Sequence, residues 1–415
     1  MESYPETLKT RLHDEAYEYR RDAFLAFLKS PVRDYKESPT VKDYVEITDT
    51  ELQEMLYGEM KESAEALEFS ESANIKINNE EITVSDELLK QGVTVTTMVD
   101  ALKTQPELVK KYVFPKLGKE RIEYLINSAW RNGLFINIPD NAKVSVRAHT
   151  IASASASFAS KTVIIYGRES KVRFTDTYST SGQGKGIQGK NIYFFGGESS
   201  RFDYLYLQDK GEEVRDITFV KQHLERFAEF QFFHINHGGS KVLFVDESQQ
   251  YGPGSSFRVY GVNFSTRDQK MDIRDSSCQE GEESNADIQV RGVVTGKSST
   301  IHRGNIDLEE KAMKATGFYD SKILLLSKDG FANSKPGLEI KNANTRSKHG
   351  SAISNVDEEQ IFYLRSRGIG DQVARGMVTA GFVGSMIEKA NDEDFTRKVY
   401  QYAESLGANA FLATN

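Results

Sequence analysis

The sequence predicts a mainly β protein, a long coiled β core held between two helical ends, and three observations carry that reading. Up to about residue 132 the apolar residues recur at helical spacing, and at Asn132-Gly133 the period changes from about 3.6 to about 2. Some 200 residues of short strand-like pieces follow, with Gly, Ser, Asn or Asp in nearly every gap. Helical spacing returns after Asp357. The boundaries expected from these changes are 1–132 for an N-terminal helical region, 133–355 for the core and 356–415 for a C-terminal helical domain.

In chain order, Glu6 to Lys29 places Leu8, Leu12, Tyr19, Phe24, Leu25 and Leu28 near one face, and Ser30-Pro31 stops that helix. Thr48-Asp49-Thr50-Glu51 reads as a capping box opening a second helix through about Leu67. Pro106 to Asn132 supplies one or two more, with Leu108, Val109, Tyr112, Ile122, Leu125, Ile126 and Trp130 as the buried set.

Strand pieces then run from Leu134-Phe135-Ile136-Asn137-Ile138 through segments such as 162–166, 171–174, 191–195, 202–207, 229–233, 241–245, 257–260 and 323–326. There is little room for repeated crossover helices, which argues against a doubly wound sheet. The stretch is long for one sandwich and lacks a repeated blade signature. Many strands without helices bury their apolar rows by coiling each turn on the last, which gives a β-helix-like solenoid. Its ends need caps over unpaired edges, and the helical segments on both sides suit that job. At the C-terminus, Asp357 to Arg367 is a helix closed by Gly368. Gln372 to Ile387 and Asp394 to Ser405 follow, with apolar faces built from Val373, Met377, Val378, Phe382 and Met386, then Phe395, Val399, Tyr402 and Leu406.

Composition narrows the function. The chain has 415 residues, 38% apolar and 27% charged, with a formal net charge of −8. Mixed charge of that sign disfavours nucleic-acid binding, which needs clustered Lys and Arg. No apolar run approaches the roughly 18 residues that span a bilayer. Met1-Glu2-Ser3-Tyr4-Pro5-Glu6 has no basic-then-apolar signal pattern, so a cytoplasmic location is expected. Cys278 is the sole cysteine, which excludes an intramolecular disulfide and any thiolate cluster within one chain. Its own expected role is incidental.

Several motifs are better explained by strand and turn. Gly184 to Asn191 has dinucleotide-type glycine spacing and nearly matches a P-loop. Ile192-Tyr193-Phe194-Phe195 then continues it as a strand, whereas a phosphate cradle needs a helix N-terminus. His234 and His237 are three residues apart, and that odd spacing on a strand sends their rings to opposite faces. Glu280-Gly281-Glu282-Glu283 lacks ordered calcium-ligand spacing. His349, in Ser347-Lys348-His349-Gly350-Ser351, reads as a junction residue after the last strand, and its imidazole suits borderline metals.

Lys335-Pro336-Gly337-Leu338-Glu339-Ile340, Lys348-His349-Gly350 and the segment Asp357 to Ile369 resemble the SufB/SufD family of iron–sulfur cluster assembly proteins. His302-Arg303-Gly304-Asn305-Ile306 and Leu324-Leu325-Leu326-Ser327 look like its final coils, and Asn132 to Pro139 resembles its entry into the β core. The likeness spans about residues 120 to 390. It implies a right-handed parallel β-helix flanked by helical domains and a non-catalytic scaffold, in a complex where SufB and SufD pair and each binds the ATPase SufC. His349 is then the possible ligand for iron or a transient cluster at the partner interface, with no cofactor held stably by this chain alone and ATP entering through SufC. The SufC contact is expected on the C-terminal helices around Arg365, Arg367, Gly368, Ile369, Met377 and Phe382. SufB-type chains usually have Glu after this His and an interface Cys; here Gly350 follows and no Cys lies near. Ser347 also stands where many SufD-type chains have Cys. The chain therefore looks most like SufD, with SufB or a second copy as its partner through the β-helix. A SufB-like homodimeric scaffold and a β-helix carbohydrate-active enzyme are the alternatives.

Overall fold

In the computed structural model, residues 16–30, 45–58, 68–78, 81–113 and 120–414 are described. The core is a β-solenoid of about 8 turns, flanked by helices at both chain ends. Each turn contributes one strand to each of two ten-stranded sheets. Lys143–Ser153, Lys171–Ser181, Arg201–Asp209, Glu229–His237, Ser256–Ser265, Asn285–Val294, Thr316–Leu325 and Arg346–Asn355 stack in parallel in the first sheet. Leu134–Ile138, Phe158–Tyr166, Ile187–Gly196, Arg215–Leu224, Lys241–Gln250, Lys270–Gln279, Ser299–Leu308 and Phe331–Ile340 stack in the second. Every strand piece expected from the alternating pattern falls within one of these, except that 323–326 runs one residue past the end of Thr316–Leu325.

The corners repeat as faithfully as the strands. Asn141, Glu169, Ser199, Phe227, Glu283 and Lys314 all adopt positive φ near 55–61°, and Gly254 does so at 67°. Each of these amides donates to a carbonyl one turn further on, as Glu169 does to Glu198 and Ser199 to Arg226. Stacked corners thus satisfy backbone groups that no strand can reach.

Entry into the core is fixed by Gly133, at φ +139°, where an added Cβ would run into the Lys161 backbone. Trp130, expected on a helix, instead opens the short strand Trp130–Asn132 after the helix Arg121–Ala129. The Thr48 capping box is present, and its helix is Asp49–Tyr57 with Gly58 as C-cap; residues 59–67 of the expected helix lie outside the described residues. Leu8 and Leu12 do too, and the first described helix is Tyr17–Lys29.

The longer helices cover the sides of the solenoid, and among the described helices only the short Asp86–Lys90 takes up the expected capping role, seating Leu88 in the lumen core at the entry. Phe24, Leu52, Met55, Leu125 and Ile126 pack on Tyr193, Ile217, Phe219 and Leu243 of the second sheet. On the opposite side, Ala374, Val383, Met386, Phe395 and Val399 pack on Leu205, Phe233, Ile235 and Val262 of the first. The first turn is closed by three short strands that helical periodicity had concealed. Ile75–Asn78 joins Lys143–Ser153 in parallel and pairs antiparallel with Glu81–Val84, and Thr94–Thr97 lies antiparallel on Leu134–Ile138. At the far end Phe331–Ile340 and Arg346–Asn355 have no further strand beyond them among the described residues. No helix among the described residues is long and apolar enough to cross a membrane.

Candidate functional site

The open end is where the core chemistry changes. Going up the first sheet, one inward column reads Tyr204, Phe232, Val259, Ile288, Tyr319 and then His349. His349 lies within the last strand, Arg346–Asn355, and not after it, which corrects its expected position. It sits in register with buried Tyr319 but is itself exposed, because nothing stacks above it among the described residues. Phe331, Ile340 and Ile353 are exposed on the same last turn. Among the described residues, this last strand pair keeps free edges and apolar side chains in water.

Polar character begins inside the lumen before that end is reached. His234 pairs through Nε2 with Asp275 Oδ1 at 3.0 Å, both fully buried. Asn236 donates to Asn263 Oδ1 at 2.8 Å, and His302 Nδ1 lies 3.0 Å from Ser321 Oγ. Burial, then the neighbouring His234, pushes His302 down to about 3. His237 faces outward as its odd spacing predicts, bonding Asp209 at 3.0 Å and stacking on Tyr402 at 4.0 Å between centroids. The two histidines do not share a site.

The C-terminal helices Glu358–Ser366 and Asp371–Ile387 carry the second surface. Gly368, at φ +86°, lets the chain reverse, with its amide on Arg365 O at 2.9 Å and that of Ile369 on Leu364 O at 3.2 Å. Arg367 lies over the Tyr363 ring, and Arg365 reaches Asp371 at 3.5 Å. Phe362 is 72% exposed, Val373 58%, Tyr363 57% and Met377 50%. Val373 and Met377, expected on the apolar inner face, point to solvent, whereas Met386 is core and Phe382 and Ile369 pack partly against it. Phe362 is the strongest feature of this patch and was not singled out from sequence, where helical apolar residues read as core.

Cys278 is half-buried on the outer face of the second sheet, two strands in from its free edge. Its sulfur and carboxylate oxygens of Asp307 and Glu309 lie within 4.8 Å of one another. Burial, then Glu339, pushes the Asp307 carboxyl up to about 6. A thiolate with two carboxylates is a donor set for a divalent transition metal, and only the folded register, Cys278 opposite Asp307, brings it together. The Gly184–Asn191 motif resolves into a turn and a strand whose Lys190 is ion-paired to Asp216 at 2.9 Å. A groove of about 760 Å³ holds His149 and Ser179 at 2.8 Å. His149 Nδ1 accepts the Ser70 amide at 3.0 Å, so Nε2 carries the proton and Ser179 is not activated as a nucleophile.

A helix-flanked β-solenoid with one closed and one open end is the class these features define. Residues 149–382 match the SUF system FeS cluster assembly, SufBD core domain, and the chain belongs to that SufBD family. It is 24% identical over 310 residues to an iron-sulfur cluster assembly SufBD family protein of Pyrococcus horikoshii, covering 73% of this chain and 69% of the relative. Proteins of the same description from Staphylococcus epidermidis and Staphylococcus haemolyticus are 22% identical over 308 residues. The chain spans 65% of the length of those two relatives.

Proposed function

We propose that this chain is a SufD-like scaffold subunit that pairs with SufB through the open turn and binds the SufC ATPase through its C-terminal helices, supporting cluster formation and iron acquisition. The observation that carries the reading is the exposed last turn, Phe331–Ile340 beside Arg346–Asn355, with His349 at the end of an otherwise apolar inward column. An imidazole at such an edge becomes a ligand for iron or a transient cluster only when a partner supplies the remaining donors. Phe362, Tyr363, Val373 and Met377, with Arg365 and Arg367 beside them, form an apolar centre with a charged rim, the anatomy of a protein interface. The lone Cys278 lies two strands in from the open edge and not on it, which favours the supporting partner over a sulfur-accepting subunit.

Co-purification with SufB and SufC tests this directly. A three-component complex is expected, and cluster assembly on it falls about tenfold or more with His349→Ala while the melting temperature holds. Absence of any complex among folded partners, or undiminished assembly by the variant, removes the reading. The Cys278, Asp307 and Glu309 donor set favours a second reading, a SufB-like homodimeric scaffold. A stable cluster reconstituted on this chain alone, and lost in Cys278→Ser, would select it.

A further inference from the structure

A cavity of about 230 Å³ lies at the closed end of the solenoid, where two lysines enter a lining that is part apolar and part hydroxyl-bearing. Ile77, Ile82, Leu134 and Phe158 form its apolar part, with Asp100 and Arg131 also on its wall. Lys210 is 5% exposed and Lys190 2%. Their circumstances differ. Lys190 donates to Asp216 Oδ1 at 2.9 Å, and Thr218 occupies the other oxygen of that carboxylate at 2.8 Å. Lys210 donates to the neutral carboxamide oxygen of Gln188 at 2.5 Å. Gln188 is held in that orientation because its nitrogen donates to Ser153 O at 3.1 Å.

The charged groups around Lys210 do not neutralise it. Lys190 opposes it, Asp216 is engaged as described, and Asp209 is turned outward to His237 and Lys398. The Tyr178 ring lies 5.7 Å from its nitrogen. A buried ammonium with only a neutral acceptor is costly. Burial and Lys190 accordingly push it down to about 7. Thr150, also on the cavity wall, has a buried Oγ1 with no hydrogen-bond partner among the described residues.

We infer that this cavity is a binding site for a small aliphatic carboxylate, its anionic head on Lys210 and Thr150 and its tail against Ile77, Leu134 and Phe158. The volume is below the roughly 300–1,000 Å³ that houses drug-sized ligands, which limits the occupant to a short chain. An inorganic anion would satisfy Lys210 but would leave the apolar wall wet. The site is independent of the scaffold role, since it lies at the end away from the open turn.

Hexanoate is the probe, titrated calorimetrically into the full chain at pH about 6 and at pH about 8.5, on either side of the value of about 7 to which burial pushes Lys210. Single-site binding is expected, about tenfold tighter at the lower pH because the ammonium is then present. Lys210→Met should abolish it while leaving the fold intact, since a well-packed apolar group replaces an uncompensated buried charge. Leu134→Phe, which fills the cavity and keeps the lysine, should abolish it as well. No saturable binding, equal binding by Lys210→Met, equal binding of hexanamide, or tighter binding at the higher pH would overturn the inference. Inorganic phosphate binding better than hexanoate would overturn the assignment of ligand class.

Discussion

The two ends of the solenoid are made from the same repeat and finished in opposite ways. At the entry, Ile75–Asn78, Glu81–Val84 and Thr94–Thr97 close the first turn, and the lumen above is aromatic: Phe174, Phe194, Phe202, Tyr204, Phe230 and Phe232 interlock with centroids 4.7–6.4 Å apart. Toward the exit the lumen turns to His234, Asn236, Asn263, Asp275 and His302, and the last turn is left uncovered. The difference teaches that a uniform backbone carries a division of labour in its inward side chains. Aromatic packing fills the entry half, whereas toward the exit smaller apolar residues such as Ile288, Ile306 and Leu308 share the lumen with polar groups up to an uncovered last turn.

The largest effect expected from this contrast is on stability. Phe232 is fully buried, stacked on Tyr204 at 5.0 Å and close to Phe244. Phe232→Ala should cost about 3–5 kcal/mol, as large core truncations do, whereas Ile353→Ala on the last turn should stay within about 0.5 kcal/mol. Urea midpoints of the two variants check this. Equal losses would mean that the open turn is packed as tightly as the aromatic half.

A smaller effect separates the halves by pH. Asp176, bonded by Tyr204 at 2.9 Å, is pushed up to about 7 by burial from an ordinary value of 3.8. Between those values the folded state holds the extra proton, so the contribution of Asp176 is full in acid and is lost as pH rises through about 7. His302 behaves oppositely. It is pushed down to about 3 from 6.5, so the unfolded state takes up the proton first, and stability is lost as pH falls from 6.5 toward about 3. Lowering the pH from about 7.5 to about 5 should therefore bring little net change in hydrogen-exchange protection around His302, where the opposite shift of Asp307 offsets the loss, and strengthen protection around Asp176, after correction for intrinsic rates. Asp176→Asn should flatten the second trend. Uniform change along the solenoid would sink the distinction.

Much of this arrangement was legible in the sequence, for identifiable reasons. Strands such as Glu229–His237 and Lys241–Gln250 declare themselves because their inward residues alternate over whole turns. Gly368 and the Thr48 capping box declare themselves because helix termini impose local chemistry. The closing strands did not, since Thr94–Thr97 is four residues long and only partly buried. Nothing in the sequence marks Lys161, Lys190 and Lys210 as buried, and only the stacking of turns places them inside. His349 was found through its surrounding motif, but its position on an uncovered edge depends on where the stack stops. Val373 and Met377 fit a helical apolar stripe, yet the helix packs through Ala374, Val383, Met386 and Ile387, and they remain outside.

The smallest expected effect on folding is also the sharpest test of the open end. Ile340 closes the strand Phe331–Ile340 and is 51% exposed although its register partner, Leu308, is buried in the lumen. An apolar residue in that position stabilises little in the isolated chain, because burial, not identity, supplies the free energy. It gains weight only when another surface covers the edge. Ile340→Asp should thus leave the melting temperature of the isolated chain within about a degree or two. Desolvating the new carboxylate should at the same time weaken association through the last turn about tenfold or more. Co-purification with the partner and a thermal melt of the same preparation measure both. If the variant lowers the melting temperature and leaves association intact, the last turn is interior to this chain's own fold, and the contrast between its two ends disappears.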